Sequence, residues 1–123
     1  MRSHERGRSG EARVVQYLHE NGFDILARNF RTRRGEVDIV AGTEGRIVFV
    51  EVKTWASLDA AELERAIDAR KQRRILAVAR AFLHEYEQQH PGVVRSGRCD
   101  VILLQPDGAI RHIEGAFDSP WPG

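Results

Sequence analysis

The stretch GEVDIVAGTEGRIVFVEVKTW, from Gly35 to Trp55, decides the fold of this chain. Two runs rich in β-branched and other apolar residues flank the tetrapeptide GTEG, which is typical of a β-hairpin closed by a tight turn. Each predicted strand nevertheless carries a carboxylate in its middle, Asp38 in the first and Glu51 in the second. Because an ordinary apolar strand has no need of these charges, the hairpin is the first candidate for a functional site.

Strand alternation places the charged side chains of the hairpin together. Glu51 and Lys53 fall on one face of their strand, and a turn centred near residue 44 brings Asp38 within about one residue of Glu51. Two carboxylates about 4 Å apart repel each other by roughly 4 kcal/mol at an effective dielectric constant of 20. A divalent cation that prefers oxygen ligands, Mg²⁺ or Mn²⁺, would remove that repulsion. The alternative is an ion-pair patch on the surface of the sheet.

The 123-residue chain is predicted to form one α/β domain, residues 1–123, with the element order αβββαββ. A helix capped by Ser9 should run to about residue 20, and a second should run from about 60 to 88 behind a capping box of Asp59 and Glu62. A strand–helix–strand connection favours parallel neighbours, so the sheet should be mixed and flanked by helices. Residues 1–8 and 118–123 are expected to be flexible ends.

Several classes of protein are excluded by what the sequence lacks. Cys99 is the single cysteine, so no internal disulfide can form, and we expect it to be a core residue. No run approaches 18 apolar residues and the first residues do not resemble a signal peptide, so a cytoplasmic protein with no membrane contact is predicted. The spacing of the histidines does not fit a zinc site, and no Walker motif is present.

The net charge of +1 hides three blocks of opposite sign. Residues 1–34 carry a net charge of +4, residues 35–64 of −5 and residues 65–80 of +5. Basic blocks on either side of an acidic one indicate a polyanionic partner held around a cation site, and the alternative is that these are solvated faces. The candidate phosphate-binding residues lie in the turn before the hairpin and in the second basic block: Arg31, Arg33, Arg34, Lys71 and Arg74.

Two further residues are unusual for their positions. Glu11 lies on the apolar stripe of the first helix, four residues before Val15 and seven before Leu18, where a carboxylate is not expected. It is either a third acid of the site or an exposed residue that interacts with the helix dipole. Lys53 is one of only two lysines among nineteen basic residues. A compact ammonium group suits a position beside an attacking water or a developing phosphate charge.

The order of these motifs resembles the PD-(D/E)XK nuclease superfamily: a helix bearing Glu11, then Asp38, then Glu51 and Lys53 in EVK. The segments GEVDIV, VFVEVKT, KQRRI, RCDVILL and HIEGAF also resemble the YraN-like bacterial family. That family is regarded as predicted endonucleases related to archaeal Holliday-junction resolvases. The resemblance extends from residue 10 to residue 117.

The resemblance implies a restriction-endonuclease-like fold and a Mg²⁺- or Mn²⁺-dependent endonuclease that acts on DNA, with branched or flapped DNA as a substrate and a homodimer as the assembly. A non-catalytic nucleic-acid-binding module that keeps the fold is the alternative. Glu36 would support the metal ligands from outside, because alternation places it on the face of Asp38. Carried over by position, the implied metal ligands are Asp38, Glu51 and the Val52 carbonyl, and the implied catalytic residues are Glu11, Asp38, Glu51 and Lys53.

Overall fold

The computed structural model describes residues 3–54, 67–117 and 120, with the backbone alone for residues 3–9. The described elements follow the predicted order αβββαββ. They are α1 (Ser3–Glu20), β1 (Asp24–Thr32), β2 (Gly35–Thr43), β3 (Arg46–Thr54), α2 (Ala69–Gln89), β4 (Ser96–Leu104) and β5 (Ile110–Phe117).

The five strands form one mixed sheet in the order β1-β2-β3-β4-β5. Neighbouring strands are antiparallel except β3 and β4, which run parallel. The parallel pair follows from the chain itself, because α2 lies between these two strands and a crossover of that length returns the chain in the same direction. The mixed sheet flanked by helices is therefore as predicted.

A two-residue turn fixes the register of the β2–β3 hairpin. Glu44 and Gly45 have φ angles of 49° and 82°, both in the left-handed region. Two consecutive residues of positive φ are typical of the type I′ turn, whose twist matches that of antiparallel strands. From this turn the ladder runs to the pair Ile39 and Val50. The GTEG motif thus sets which residues of the two strands lie opposite each other.

Each face of the sheet is covered by one helix and one apolar cluster. Val14 and Leu18 of α1 are completely buried, which confirms the predicted apolar stripe of that helix. The cluster on the α1 side contains Val14, Leu18, Ile39, Ala41, Val48, Val50 and Ile102. The cluster on the α2 side includes Val37, Val40, Ile47, Phe49, Ile75, Val78, Ala79 and Leu83.

Both helix starts differ from the predictions. Helix α1 already begins at Ser3, so Ser9 lies inside the helix and does not cap it. Glu5, Arg6 and Arg8 are good helix formers and allow the helix to extend upstream of Ser9. Helix α2 is not continuous from residue 60, because Asp68 is extended and its side chain accepts a hydrogen bond from the Lys71 N–H. Asp is among the strongest N-cap residues. The predicted capping box of Asp59 and Glu62 lies outside the described residues.

A buried carboxylate ties α1 to the far end of the sheet. Asp100 is fully buried and accepts hydrogen bonds from Arg98 at 2.8 and 3.0 Å, from His112 Nε2 at 2.6 Å and from the Gly115 N–H at 2.9 Å. The Tyr17 hydroxyl lies 2.9 Å from His112 Nδ1. Burial alone would raise the pKa of Asp100, but its bonds to His112, Arg98 and Gly115 hold that pKa below its usual value. The ion pair of Arg98 and Asp100 is thus part of a larger network.

Cys99 has the core position that the sequence predicted. Cys99 is buried, and this burial raises the pKa of its thiol to about 12, which leaves no reactive thiolate near neutral pH. Within the described residues, neither helix is apolar enough over a sufficient length to cross a bilayer.

Replacing Asp100 with Asn should destabilise the fold by about 3–5 kcal/mol at pH 7, because Arg98 and His112 would both lose the buried carboxylate that they bind. The measurement is chemical denaturation. The control is Glu114→Gln, which removes the other carboxylate near Arg98. Glu114 is 65% exposed at 3.7 Å from Arg98, so its loss should change stability by less than about 1 kcal/mol. Equal effects of the two substitutions on stability would contradict the structural role assigned to Asp100.

Because the pKa of Asp100 is lowered in the folded state, its stabilisation is present above the unfolded pKa of about 4. It is lost as the pH falls through the lower folded value. The difference between wild type and Asp100→Asn should therefore shrink in acid.

Candidate active site

The hairpin strands separate at one end and form a fork. Beyond the pair Ile39 and Val50, β2 continues its ladder with β1 and β3 continues with β4. Across the gap, Asp38 Oδ2 accepts a hydrogen bond of 2.8 Å from the Val52 N–H. A side-chain oxygen thus takes the place of a backbone carbonyl in satisfying this donor. We call Asp38 on β2 together with residues 51–53 on β3 the strand fork.

The regular alternation of β2 breaks at the same point. Val37 packs in the cluster on the α2 side, whereas Ile39, two residues later, packs on the α1 side. Residues two apart in a regular strand lie on the same face. The break turns Asp38 toward β3, so the fork depends on local distortion as well as on register.

The two carboxylates of the strand fork line the same cavity and influence each other electrostatically. Glu51 is only 8% exposed. Burial, then the charge of Glu51, raises the pKa of Asp38 to about 7, and the more distant Glu11 adds to the effect. The Val52 N–H opposes the rise without cancelling it. Near pH 7 Asp38 is therefore protonated in about half of the molecules, whereas a separate carboxylic acid would be ionised.

Both lysines of the chain meet at the same carboxylate. Lys53 Nζ and Lys71 Nζ each lie 3.6 Å from Glu51 Oε1. Burial and the neighbouring Lys71 lower the pKa of Lys53, although the charge of Glu51 opposes this. Burial also acts to lower the pKa of Lys71, but its contacts with Lys53, Glu51 and Asp38 outweigh burial, so the pKa is raised. Lys71 was predicted from the sequence to contact phosphate, but its position beside Glu51 was not predicted.

Glu11 approaches the strand fork from the α1 side of the sheet, opposite to α2. Its carboxylate is 18% exposed and lies 3.4 Å from the Arg28 guanidinium. The amide of Asn29, with its nitrogen facing both acids, donates to Glu11 Oε1 at 3.2 Å and to Glu36 Oε1 at 3.0 Å. Asn29 has a φ of 53°, a conformation that Asn tolerates better than most residues. Glu11 is therefore held beside the fork, and Asn29 is a residue of the site that the sequence did not indicate.

Two adjacent cavities lie along the site. The first, of about 630 Å³, is lined by Gly35, Glu36, Asp38, Glu51, Asp68, Arg70, Lys71, Arg74 and Ile75. The second, of about 410 Å³, is lined by Arg31, Thr32, Arg33, Arg34, Gly35, Glu36 and Arg74. Gly35, Glu36 and Arg74 line both cavities, which are therefore adjacent. We call the two cavities together the groove, with the carboxylates in the first and a group of arginines in the second.

The predicted phosphate contacts do not all have free charges. Arg33 and Arg34 are exposed in the turn between β1 and β2, and Arg74 is exposed on α2. Arg31 instead binds Glu36 through Nε at 3.2 Å and Nη2 at 2.8 Å. This pair neutralises part of the positive charge that the sequence suggested.

Phe30, next to the basic turn in the sequence, is a core residue and is not available to stack on a base. Phe30 packs edge-to-face against Phe82, with the ring centroids 5.2 Å apart, and belongs to the apolar layer under α2. Trp55 lies outside the described residues. Among the residues that the structure covers, no group of three His, Cys, Asp or Glu side chains is placed to hold a metal ion. The structure thus brings together Asp38, Glu51 and Lys53 but shows no complete metal site.

The fold resembles a solved structure of known activity. The Hjc Holliday junction resolvase of Archaeoglobus fulgidus matches with a TM-score of 0.50, at 20% sequence identity, over 89% of this chain and 72% of that one. At this identity the likeness concerns the fold. It confirms the predicted restriction-endonuclease-like architecture.

The sequence has many closer relatives. A protein of Rhodopseudomonas palustris is 44% identical over 114 residues, which cover 92% of this chain and 83% of the relative. A protein of Persephonella marina is 39% identical over 113 residues, which cover 92% and 93% respectively. Both are described as UPF0102 proteins. The model of the uncharacterised protein family UPF0102 matches residues 10–104. The resemblance to the YraN-like family is thereby confirmed, and the chain belongs to the uncharacterised protein family UPF0102.

Proposed function

We propose that this protein is a divalent-metal-dependent endonuclease that hydrolyses phosphodiester bonds in DNA. The observation that carries the proposal is the strand fork, where Asp38, Glu51 and Lys53 converge at the open end of the hairpin. Two acids and a lysine at such a point have little value for the stability of the sheet, because the acids repel each other. They suit a reaction in which positive charge must be gathered around a phosphate.

The residues of the fork fit a hard divalent cation. Asp38 and Glu51 would supply carboxylate oxygens, and Val52 would add its carbonyl oxygen as a third protein ligand. Mg²⁺ usually keeps several waters and binds through one or two carboxylates, so a fork with two carboxylates among the described residues is compatible with it. The raised pKa of Asp38 supports this assignment, since a cation between the two acids would favour their ionised forms against both burial and mutual repulsion.

The reaction adds one water across a phosphodiester bond. The water oxygen bonds to phosphorus, the bond from phosphorus to the leaving sugar oxygen breaks, the water loses a proton and the leaving oxygen gains one. A bound Mg²⁺ or Mn²⁺ supplies positive charge to the phosphate oxygens and makes water more acidic. Lys53 positions the water and stabilises the developing charge, while Glu11, fixed by Arg28 and Asn29, holds further charge beside the site.

The groove supports DNA as the polyanion. Exposed Arg33, Arg34 and Arg74 line its outer part, and guanidinium groups bind phosphates through paired, charge-assisted hydrogen bonds. The likeness to a chain described as a Holliday junction resolvase supports branched DNA as the substrate. A four-way junction is symmetric, so we propose that a homodimer presents two such sites, as a two-fold axis relating two chains would do.

A second candidate function is a nucleic-acid-binding module that keeps the fold without catalysis. The observation in its favour is that Glu51 already makes two ion pairs within the chain. A fork that serves only as an ion-pair patch would bind no metal, so metal binding separates the two functions.

Metal binding should appear as thermal stabilisation of the free protein. If Mn²⁺ binds with a dissociation constant of about 1 mM, about 10 mM Mn²⁺ should stabilise the fold by roughly 1.4 kcal/mol. This corresponds to a rise in Tm of about 4–6 °C for a domain of this size. Asp38→Asn should abolish the rise, whereas Asp107→Asn, in an exposed turn, should retain it. An equal response of wild type and Asp38→Asn would favour the non-catalytic module.

The same variant has an expected effect in EDTA. The pKa of Asp38 is raised in the folded protein, so its ionisation opposes folding as the pH rises from about 4 to about 7. Asp38→Asn removes this penalty and should stabilise the metal-free protein by on the order of 2–4 kcal/mol at pH 8. Near pH 4 it should change stability little. Denaturation at both pH values measures the difference.

Cleavage is the direct test of the proposed function. A panel of single-stranded, duplex, flapped and four-way DNA should show strand cleavage with Mg²⁺ or Mn²⁺ and none with EDTA. Asp38→Asn and Lys53→Met should each lower the rate by about 10²-fold or more. Lys53→Met should keep the Mn²⁺ stabilisation that Asp38→Asn loses. The proposal is wrong if no substrate is cut or if both variants cut as wild type does.

DNA affinity should depend on salt through the free arginines. Replacing Arg33 and Arg34 with Ala should flatten the slope of log K against log salt by about one to two units. Adding Arg31→Ala should flatten it little further, because Arg31 is bound to Glu36. The control is Arg111→Ala, at an exposed position on the far strand β5. A slope that does not respond to the double substitution would remove the turn from the DNA-binding surface.

A further inference from the structure

The two lysines of the chain come from distant parts of the sequence and bind one oxygen atom. Lys53 lies on β3 and Lys71 on α2, and both ammonium groups lie 3.6 Å from Glu51 Oε1. The other basic residues are arginines, including three beside Lys71 in the segment RKQRR. Both cations that contact Glu51 are therefore compact ammonium groups. Lys and Arg are not equivalent there, because an ammonium acts as a point charge with three donors.

The position of Lys71 is fixed by its helix. Lys71 lies in the first turn of α2, and its N–H donates to the Asp68 cap at 2.9 Å. The side-chain amide of the next residue, Gln72, donates to the Ile67 carbonyl at 3.1 Å. One turn later Ile75 is buried under the sheet. The backbone at Lys71 is therefore held on both sides, and its ammonium is delivered to the fork by a rigid element.

The second lysine exceeds what the ion pair requires. Lys53 already neutralises Glu51, and both ammonium groups lie 3.6 Å from the same oxygen of Glu51, which places like charges together. Such proximity is unfavourable unless further negative charge is gathered there. Lys71 is the more exposed of the two, 38% against 22%, and it lines the cavity that opens from the fork. Its ammonium therefore faces the space that a substrate would occupy.

The charges balance when a phosphate is included. A divalent cation neutralises Asp38 and Glu51 and leaves the ammonium groups of Lys53 and Lys71 as an excess of two positive charges. A phosphodiester carries one negative charge, and a second develops on its oxygens as a hydroxide attacks. Two fixed ammonium groups match the charge of that transition state better than one.

We propose that Lys71 is a second catalytic lysine, which binds a non-bridging oxygen of the scissile phosphate while Lys53 acts on the water. This rests on the proposed nuclease function and assigns a role within that site. Lys71 thereby differs from Arg33 and Arg34, which bind phosphates further along the groove. Its contribution should fall mainly on the rate of cleavage and little on DNA affinity.

The test compares Lys71→Met, Lys71→Arg and a matched control, Arg73→Met. Arg73 is an exposed cation of the same helix that lines neither cavity of the groove. Single-turnover cleavage of the best substrate, DNA affinity with Ca²⁺ in place of Mg²⁺, and Tm with and without Mn²⁺ are measured for each. Lys71→Met should lower the cleavage rate by about 10²- to 10³-fold and DNA affinity by less than about tenfold.

Two of these measurements separate catalysis from structure. Lys71→Met should keep or increase the Mn²⁺ stabilisation, because one competitor for Glu51 is removed. Lys71→Arg keeps the charge and should recover at least about tenfold of the lost rate. Arg73→Met should cut within about threefold of wild type. This pattern would support the proposal whether or not the variants differ in Tm without metal.

Each negative result would contradict either the role of Lys71 or the proposed nuclease function. Cleavage by Lys71→Met within about threefold of wild type would overturn the role of Lys71 and leave the nuclease function intact. Loss of Mn²⁺ stabilisation together with cleavage would also overturn it, because Lys71 would then only position Glu51. A wild-type protein that neither responds to Mn²⁺ nor cuts DNA would overturn the proposed function itself, and that result requires no variant.

Discussion

The hydrogen bond from the Val52 N–H to the Asp38 carboxylate is the interaction on which the site depends. It stands where the β2–β3 ladder ends, and it lets the two strands separate without leaving this backbone donor unpaired. The same bond holds Asp38 within reach of Glu51 against their mutual repulsion. Part of the stability of the sheet is thus exchanged for a concentration of charge, which is common at functional sites.

The rest of the fold keeps this arrangement in place from both faces. Helix α2 brings Lys71 to Glu51 on one face, and α1 brings Glu11 toward Asp38 from the other. Helix α1 is in turn fixed at Tyr17 by the buried network around Asp100. The acids of the fork therefore lie between two helices that are fixed by their own hydrogen bonds and apolar contacts. Such support limits the freedom of the charged side chains to move apart.

The sequence was sufficient where local rules act. The GTEG turn fixed the hairpin register, and strand alternation placed Glu51 and Lys53 on one face, as the structure has them. Local rules failed where tertiary contacts decide. Asp38 turns toward β3 through a break in alternation, and the pairing of Lys71 with Glu51 depends on how α2 docks on the sheet. Neither is visible in periodicity or propensity.

The scarcity of lysine has a practical consequence for chemical labelling. Reagents that modify primary amines ignore guanidinium groups, so the two lysines and the chain terminus are the amines available to them. Both of these lysines contact Glu51, and the lowered pKa of Lys53 leaves it a larger fraction of nucleophilic neutral amine than an ordinary lysine has. An acylating reagent used on the intact protein therefore becomes a probe of the strand fork. Protection of the two amines by a bound polyanion would locate its docking position without any prior substitution in the chain.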